Sequence, residues 1–296
     1  MRQAKFALDL EHRLNRWMQA QANNISEALK GVDLDWAKTA KSVRTLKAEA
    51  EHDTNDDGLQ TELLLGGKKV PKVESDLIRA VALLAWRAIS WPSLVSELES
   101  YIAEATADGV GIGEAQSEIT ATASVIYDAK QSAQKYAKER AAEAVGMKYN
   151  AQDELVDDPH AVWPLTDKFK TDIESTIAQG IDEGWTDSQI SAVIEASYAF
   201  SPERVEIIAD TELTNAQNFG TYTYWRTSKV VTWVRWLTSD IHEVEDECDI
   251  YEAQGIVALG HEFAPGIRWP RAHPYCRCSL VAIPDSDLGN SKGSEE

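Results

Sequence analysis

The chain has 296 residues, 43% of them hydrophobic, and sets 29 Lys and Arg against 49 Asp and Glu for a formal net charge of −20. That is apolar content for one large or two modest cores, and a charge that repels a phosphate backbone and so disfavours non-specific nucleic-acid binding. The opening MRQAKFALDLEHRLNRW lacks the apolar stretch of a secretory signal, and no uncharged apolar run reaches the roughly 18–20 residues of a membrane span; the longest, AVALLAW, stops at Arg87. A soluble protein that folds in a cytoplasm is expected.

In chain order, Phe6, Leu10, Leu14, Trp17, Ile25 and Leu29 recur at helical spacing and predict a long amphipathic helix ending near Gly31. Residues 35–52 also read as helix, though weakly apolar. DTNDDGLQTELL then resembles the opening of a calcium EF-hand loop, with Asp53, Asn55, Asp57 and Gly58 at positions one, three, five and six. Gln60 holds the apolar eighth position and Leu64 the place of the bidentate Glu, so the segment reads as a polar turn. Helical periodicity resumes with Leu77, Ile78, Val81, Leu84 and Ala85 until Pro92 interrupts it. Ser90 or Ser93 can cap the following helix, in which Leu94, Leu98 and Ile102 lie one turn apart. DGVGIGE reads as a glycine-rich break, and the Ala-rich residues 114–145 as a long solvent-facing helix.

Pro159 and Pro164 in VDDPHAVWP mark a domain boundary. Two helices follow, KFKTDIESTIAQGIDEG and a short one opening at Thr186 with Ile190, Val193 and Ile194 inside. A third starts with Ser201 as N-cap, Pro202 at the first helical position and Glu203 in the first turn. After Lys229 the period changes: VVTWVRW reads as a strand, residues 239–271 as loop, and CRCSLVAIP as a second strand. The fold class expected is α+β: a helical region over residues 1–155, a smaller α+β domain with a short antiparallel β element over 165–284, and a disordered acidic tail over 285–296.

The cysteines, Cys248, Cys276 and Cys278, are odd in number and all C-terminal, which argues against a disulfide framework. His273, Cys276 and Cys278 form an HxxCxC group that, with Cys248 upstream, supplies the four ligands of a closed structural zinc site. In the upstream half, CDIY, Tyr251 stands where a second ligand of a CxxC pair would be. Three states stay open: structural zinc, reduced thiols beside a strand, or a bridge from Cys248 to Cys276 or Cys278 in an oxidising medium. His242 and His261 are reserve ligands. The run of acids from Asp240 to Glu252, with no Lys or Arg, is a solvated loop or a face for a basic partner or hard cation. The chain shows no GxSxG, P-loop, HExxH or strand-flanked GxGxxG; a nucleophile pairing Cys276 with His273 rests on residue type alone.

GWTDSQISAVI, then ERVEIIADTELTNAQNFGTYTYW, then VTWVRWLTSD, then Cys248, then AHPYCRCSLVAI follow one another between about Lys168 and Pro284. In that order they resemble the phage Mu protein F-like head morphogenesis family. Its motifs are a helix opening on Gly and a small residue, a helix around an Ile-Ala-Arg-Thr-Glu core, a strand ending in Trp and a Thr/Ser–Asp pair, a first cysteine, and a closing His-Pro-x-Cys-Arg-Cys. Asp210 replaces the usual Arg of the helix motif, and Tyr251 the usual second cysteine. The resemblance implies a minor capsid protein, not an enzyme, that joins the portal vertex during procapsid assembly. Its partners would be the portal protein, the major capsid or scaffold protein and packaged DNA, with no membrane. In some phages such proteins travel with the DNA. The protein would then sit in the virion, at the capsid interior or portal vertex, and in the host cytoplasm during assembly. Trp17, Trp86 and Trp91 are candidate aromatic anchors for the portal. The alternatives are a toxin-like enzyme, which would need more than the dozen or so residues after Pro284, and a zinc-binding nucleic-acid-associated module, which the charge opposes.

Overall fold

The computed structural model describes residues 2–30, 64–65, 68–69, 72–117, 122–162, 164–240 and 246–286. The helix expected at 35–52, the EF-hand-like residues 53–60, His242 and the tail from 287 onward lie outside them. From the N-terminus the elements are α1 (Arg2–Lys30), the two-residue strands β1 (Leu64–Leu65) and β2 (Lys68–Lys69), α2 (Lys72–Ala88), α3 (Trp91–Ser117) and α4 (Ala123–Ala144). There follow the hairpin β3 (Met147–Tyr149) and β4 (Leu155–Asp157), α5 (Leu165–Glu183), α6 (Asp187–Glu195), a 3₁₀ turn (Tyr198–Phe200) and α7 (Pro202–Ser228). The chain then runs through β5 (Trp233–Leu237), the short α8 (Glu247–Glu252), β6 (Ile256–Ala258) and β7 (Ser279–Ile283). The described residues are thus mostly helical with short antiparallel strands, an α+β fold. None of their helices is long and apolar enough to cross a membrane.

Two compact units share this chain. The first gathers Met1–His12, Ser93–Trp163 and Val205–Glu296; the second gathers Arg13–Pro92 and Pro164–Arg204. The crossing after Trp163 falls inside VDDPHAVWP, and each unit draws on both sides of it.

In the second unit, Leu14, Trp17, Met18, Ile25 and Leu29 of α1 are buried at the helical spacing read from the sequence. Trp17 meets Trp91 and Phe169 at ring-centroid distances of 5.7 and 6.2 Å, and Trp86 meets Trp91 at 4.6 Å. Trp17 is therefore interior (6% exposed) rather than a surface anchor; Trp86 and Trp91 are half-buried, with the Lys170 ammonium 4.8 Å from the Trp86 ring. α5 ends at Gly184, whose φ of 71° lets the Trp185 N–H reach back to the Gly180 carbonyl at 2.8 Å. Thr186 opens α6 as half of a capping box: its hydroxyl accepts from the Gln189 N–H, and the Gln189 side chain accepts from the Thr186 N–H. Ile190 and Ile194 point inward, whereas Val193, expected inside, lies at the edge of the buried stripe and is 38% exposed.

In the first unit α7 is the central helix. DGVGIGE does not break the chain: it lies inside α3, and its glycines let two helices touch backbone to backbone. A Cβ on Gly109 would stand 2.2 Å from the Gln217 carbonyl oxygen, and one on Gly220 2.1 Å from that of Thr106. Across this seam the Thr221 hydroxyl donates to Gly109 O and the Trp225 indole to Gly113 O, each at 2.9 Å. α4 is likewise no solvent-facing rod. Ala129, Ala133, Ala137 and Ala141 form a buried stripe, and Tyr136 stacks on Phe219 of α7 with centroids 3.8 Å apart. The expected strands pair antiparallel, Trp236 opposite Leu280 and Val234 opposite Ala282. β6, in a segment read as loop, pairs on the other edge of β5 with Val257 opposite Val234.

Candidate metal centre

The helix motif and the closing motif of the sequence meet on one face of α7. Asp210 forms an ion pair with Arg277, so the acid standing where the family pattern has Arg finds its counter-charge in the closing motif itself. The Arg277 guanidinium also lies 4.1 Å from the Tyr275 ring centre. At the next residue of α7, the Thr211 hydroxyl accepts from the Tyr275 N–H at 2.7 Å, and one turn on Asn215 Oδ1 accepts from the Trp269 indole at 3.0 Å. Asn218 closes the row: its amide donates to Cys278 O at 2.9 Å and accepts from Leu280 N at 3.2 Å, a clamp on the start of β7. Behind this face Glu212 is held by Arg140 through two charge-assisted bonds of 2.6 and 2.9 Å, both side chains 6% exposed or less. Sequence reasoning singled out neither partner.

His273-Pro274-Tyr275-Cys276 is a tight turn closed by Cys276 N–H to His273 O at 3.2 Å. Pro occupies its second position and Tyr275, with φ 67°, its third, where a type II turn needs positive φ and usually has Gly. The Thr211 bond and the Arg277 stack hold Tyr275 there. The turn brings His273 and Cys276 round to one side, facing Cys248 on the first turn of α8. Cys248 Sγ lies 3.4 Å from His273 Nε2 and 3.7 Å from Cys276 Sγ, and the three donor atoms all fall within 4.8 Å of one another. Cys278 is buried and its thiol neighbours both other sulfurs, but it stands outside that three-donor group. His261 bonds Gln254 at 2.9 Å and takes no part. Of the acidic run, Asp246 caps α8 and Glu252 accepts from the Thr238 hydroxyl at 2.6 Å.

The donor set fits zinc. With Zn–S near 2.3 Å and Zn–N near 2.0–2.1 Å, the edges of a tetrahedral site are about 3.8 Å between sulfurs and about 3.5 Å between sulfur and nitrogen. The observed 3.7 and 3.4 Å match both. His273 Nδ1 donates to Pro274 O at 2.8 Å, the backbone contact that orients a ligating imidazole and leaves Nε2 as the free lone pair. Hydrogen bonds from Cys248 and Cys278 pull the Cys276 thiol well below its ordinary range, whereas Cys248, as donor to Cys276, is pushed up. The cavity beside Cys276, lined by Arg140, Thr211, Asn215, Pro270, Arg271 and His273, holds about 10 Å³. That is room for about one water and not for a substrate, which counts against the Cys276–His273 nucleophile.

Residues 171–281 match the family model described as Phage Mu protein F like protein. Through this segment the chain is similar to the phage Mu protein F-like family. The phage Mu protein F-like segment covers α5 from its second turn through β7, and includes the α7 face, Cys248 and the HPYCRC turn. The match agrees with the head-morphogenesis resemblance carried by the sequence motifs. No curated protein and no solved structure matches the chain.

Proposed function

We propose that the protein is a minor head protein that associates with the portal vertex during procapsid assembly, and that it is not an enzyme. The observation that carries this reading is the family segment itself, with its two motifs interlocked on α7 through Asp210–Arg277, Thr211–Tyr275 and Asn218–β7. Such a scaffold holds a surface in shape; the small space at the cysteines serves structure better than turnover. For contact with portal, capsid or scaffold proteins the helices offer exposed apolar side chains, among them Leu83 and Leu84 on α2, each more than 40% exposed. We further propose that Cys248, His273 and Cys276 bind a structural zinc ion. Bound there, zinc would cross-link α8 to the closing turn and supply folding free energy rather than catalysis.

The test of the assembly reading is co-expression with the portal protein of the same phage, followed by size-exclusion chromatography with light scattering. A stable complex is expected, weakened by Leu83→Asp with Leu84→Asp. A chain that always runs alone beside a folded portal would overturn the portal reading.

A further inference from the structure

We propose that Asp246 is the fourth ligand of this centre, which completes a site of two thiolates, one imidazole and one carboxylate and leaves Cys278 outside it; the inference rests on the zinc reading above. The Asp246 carboxylate is held in place by its role as cap: Oδ1 accepts from the Cys248 N–H at 2.7 Å. That leaves Oδ2 directed into the cluster. Oδ2 is buried and accepts no hydrogen bond, yet lies 3.2 Å from His273 Nε2. Because the other ring nitrogen donates to Pro274 O, Nε2 in the neutral ring carries a lone pair and no hydrogen. A buried carboxylate oxygen, an imidazole nitrogen and two sulfurs therefore converge on one point, the arrangement of four ligands about a cation. The 3.2 Å separation is close to the edge, about 3.3 Å, of a tetrahedron with metal bonds near 2.0–2.1 Å.

Tyr251, which stands at the usual second cysteine, does not fill the gap: its ring packs on Trp236 with centroids 4.9 Å apart. Cys278 has a different task. Its carbonyl is clamped by Asn218, which fixes the start of β7, and its thiol stands outside the three-donor group. Two soft thiolates keep the site selective for zinc over magnesium or calcium in spite of the carboxylate.

The test uses the full chain loaded with zinc and, separately, with cobalt(II), whose thiolate-to-metal absorption band grows with the number of coordinated sulfurs. We expect one metal per chain and a two-thiolate band that Cys276→Ser halves and Cys278→Ser leaves unchanged. Asp246→Cys should raise the band by about half. Asp246→Asn should weaken zinc binding at least tenfold in competition with a chromophoric chelator, with circular dichroism confirming that each variant folds. If Asp246→Cys does not fold, the two serine variants and Asp246→Asn decide. A three-thiolate band that drops by a third in Cys278→Ser, or full zinc affinity in Asp246→Asn, overturns Asp246 as ligand and leaves the zinc reading standing. A chain that binds no metal overturns both.

Discussion

Arg140 is buried and still charged: burial works against its charge, but the Glu212 carboxylate and its hydrogen bonds more than offset that. Such a pair is costly to break and cheap to replace. Arg140→Ala should lose about 3–5 kcal/mol in urea melts because Glu212 is left buried and unpaired, whereas Arg140→Met with Glu212→Leu should lose much less. Equal losses would show that packing, not charge, is at stake. Glu11 shows the opposite case. Partial burial and the nearby acids Glu206 and Asp210 raise its pKa, so the folded state prefers the protonated form. The penalty is absent below the unfolded value and grows as pH rises through the folded one. Glu11→Gln should accordingly match the wild type in stability at about pH 4 and slightly exceed it at pH 7, the gain limited by solvent screening; equal stability at both pH values would contradict this.

Among the elements, the α3–α7 seam makes the sharpest prediction. Gly220→Ala gains about 1 kcal/mol of helix propensity but drives its methyl into the Thr106 carbonyl. A net loss of more than about 3 kcal/mol is expected, since a close-packed interface cannot absorb the displacement. Gly111, on the same helix with nothing within 4 Å of an added Cβ, should instead gain about 0.5–1 kcal/mol as Ala. Thermal melts of the two variants separate these outcomes by sign. The same seam explains what could be read from the sequence. Periodic stripes and caps are local, so α1, the Thr186 capping box and the Ser201 start of α7, where Ser201 Oγ accepts from Arg204 N, were all legible. Gly109, Gly111 and Gly113 look like a break when only propensity is counted; the partner that makes them helical lies 112 residues on, at Thr221 and Trp225. β6 was hidden because three residues between Gly255 and Gly260 carry too short a pattern. At the site, the cysteines and His273 stood out as scarce types in a tight cluster. Asp246 did not, because nothing local separates it from the other acids of its run; its position two residues before Cys248 as a helix cap was the one available cue.

At the scale of the whole molecule, the family segment and the compact units do not coincide. The segment 171–281 draws on both units, and within the first unit α7 rests on α3 and α4, which lie before it in the chain. A fragment of residues 171–281 alone should therefore expose the Gly220 and Phe219 face and melt without a cooperative transition by circular dichroism, while the full chain melts cooperatively; a cooperative fragment would mean that α7 and the sheet suffice. The Asn218 clamp on β7 carries a last consequence, for the order of events on the ribosome. α7 emerges some sixty residues before the strand its asparagine holds, so through that interval the amide has no strand to grip and β5 lacks one of its two neighbours. Long-range pairing of this kind is slow, and the open edge it leaves is one to which other chains can add. The nascent chain thus passes through a stage in which α7 and β5 are present but unsealed, and a chaperone that shields β5 during that stage should raise the yield of folded protein.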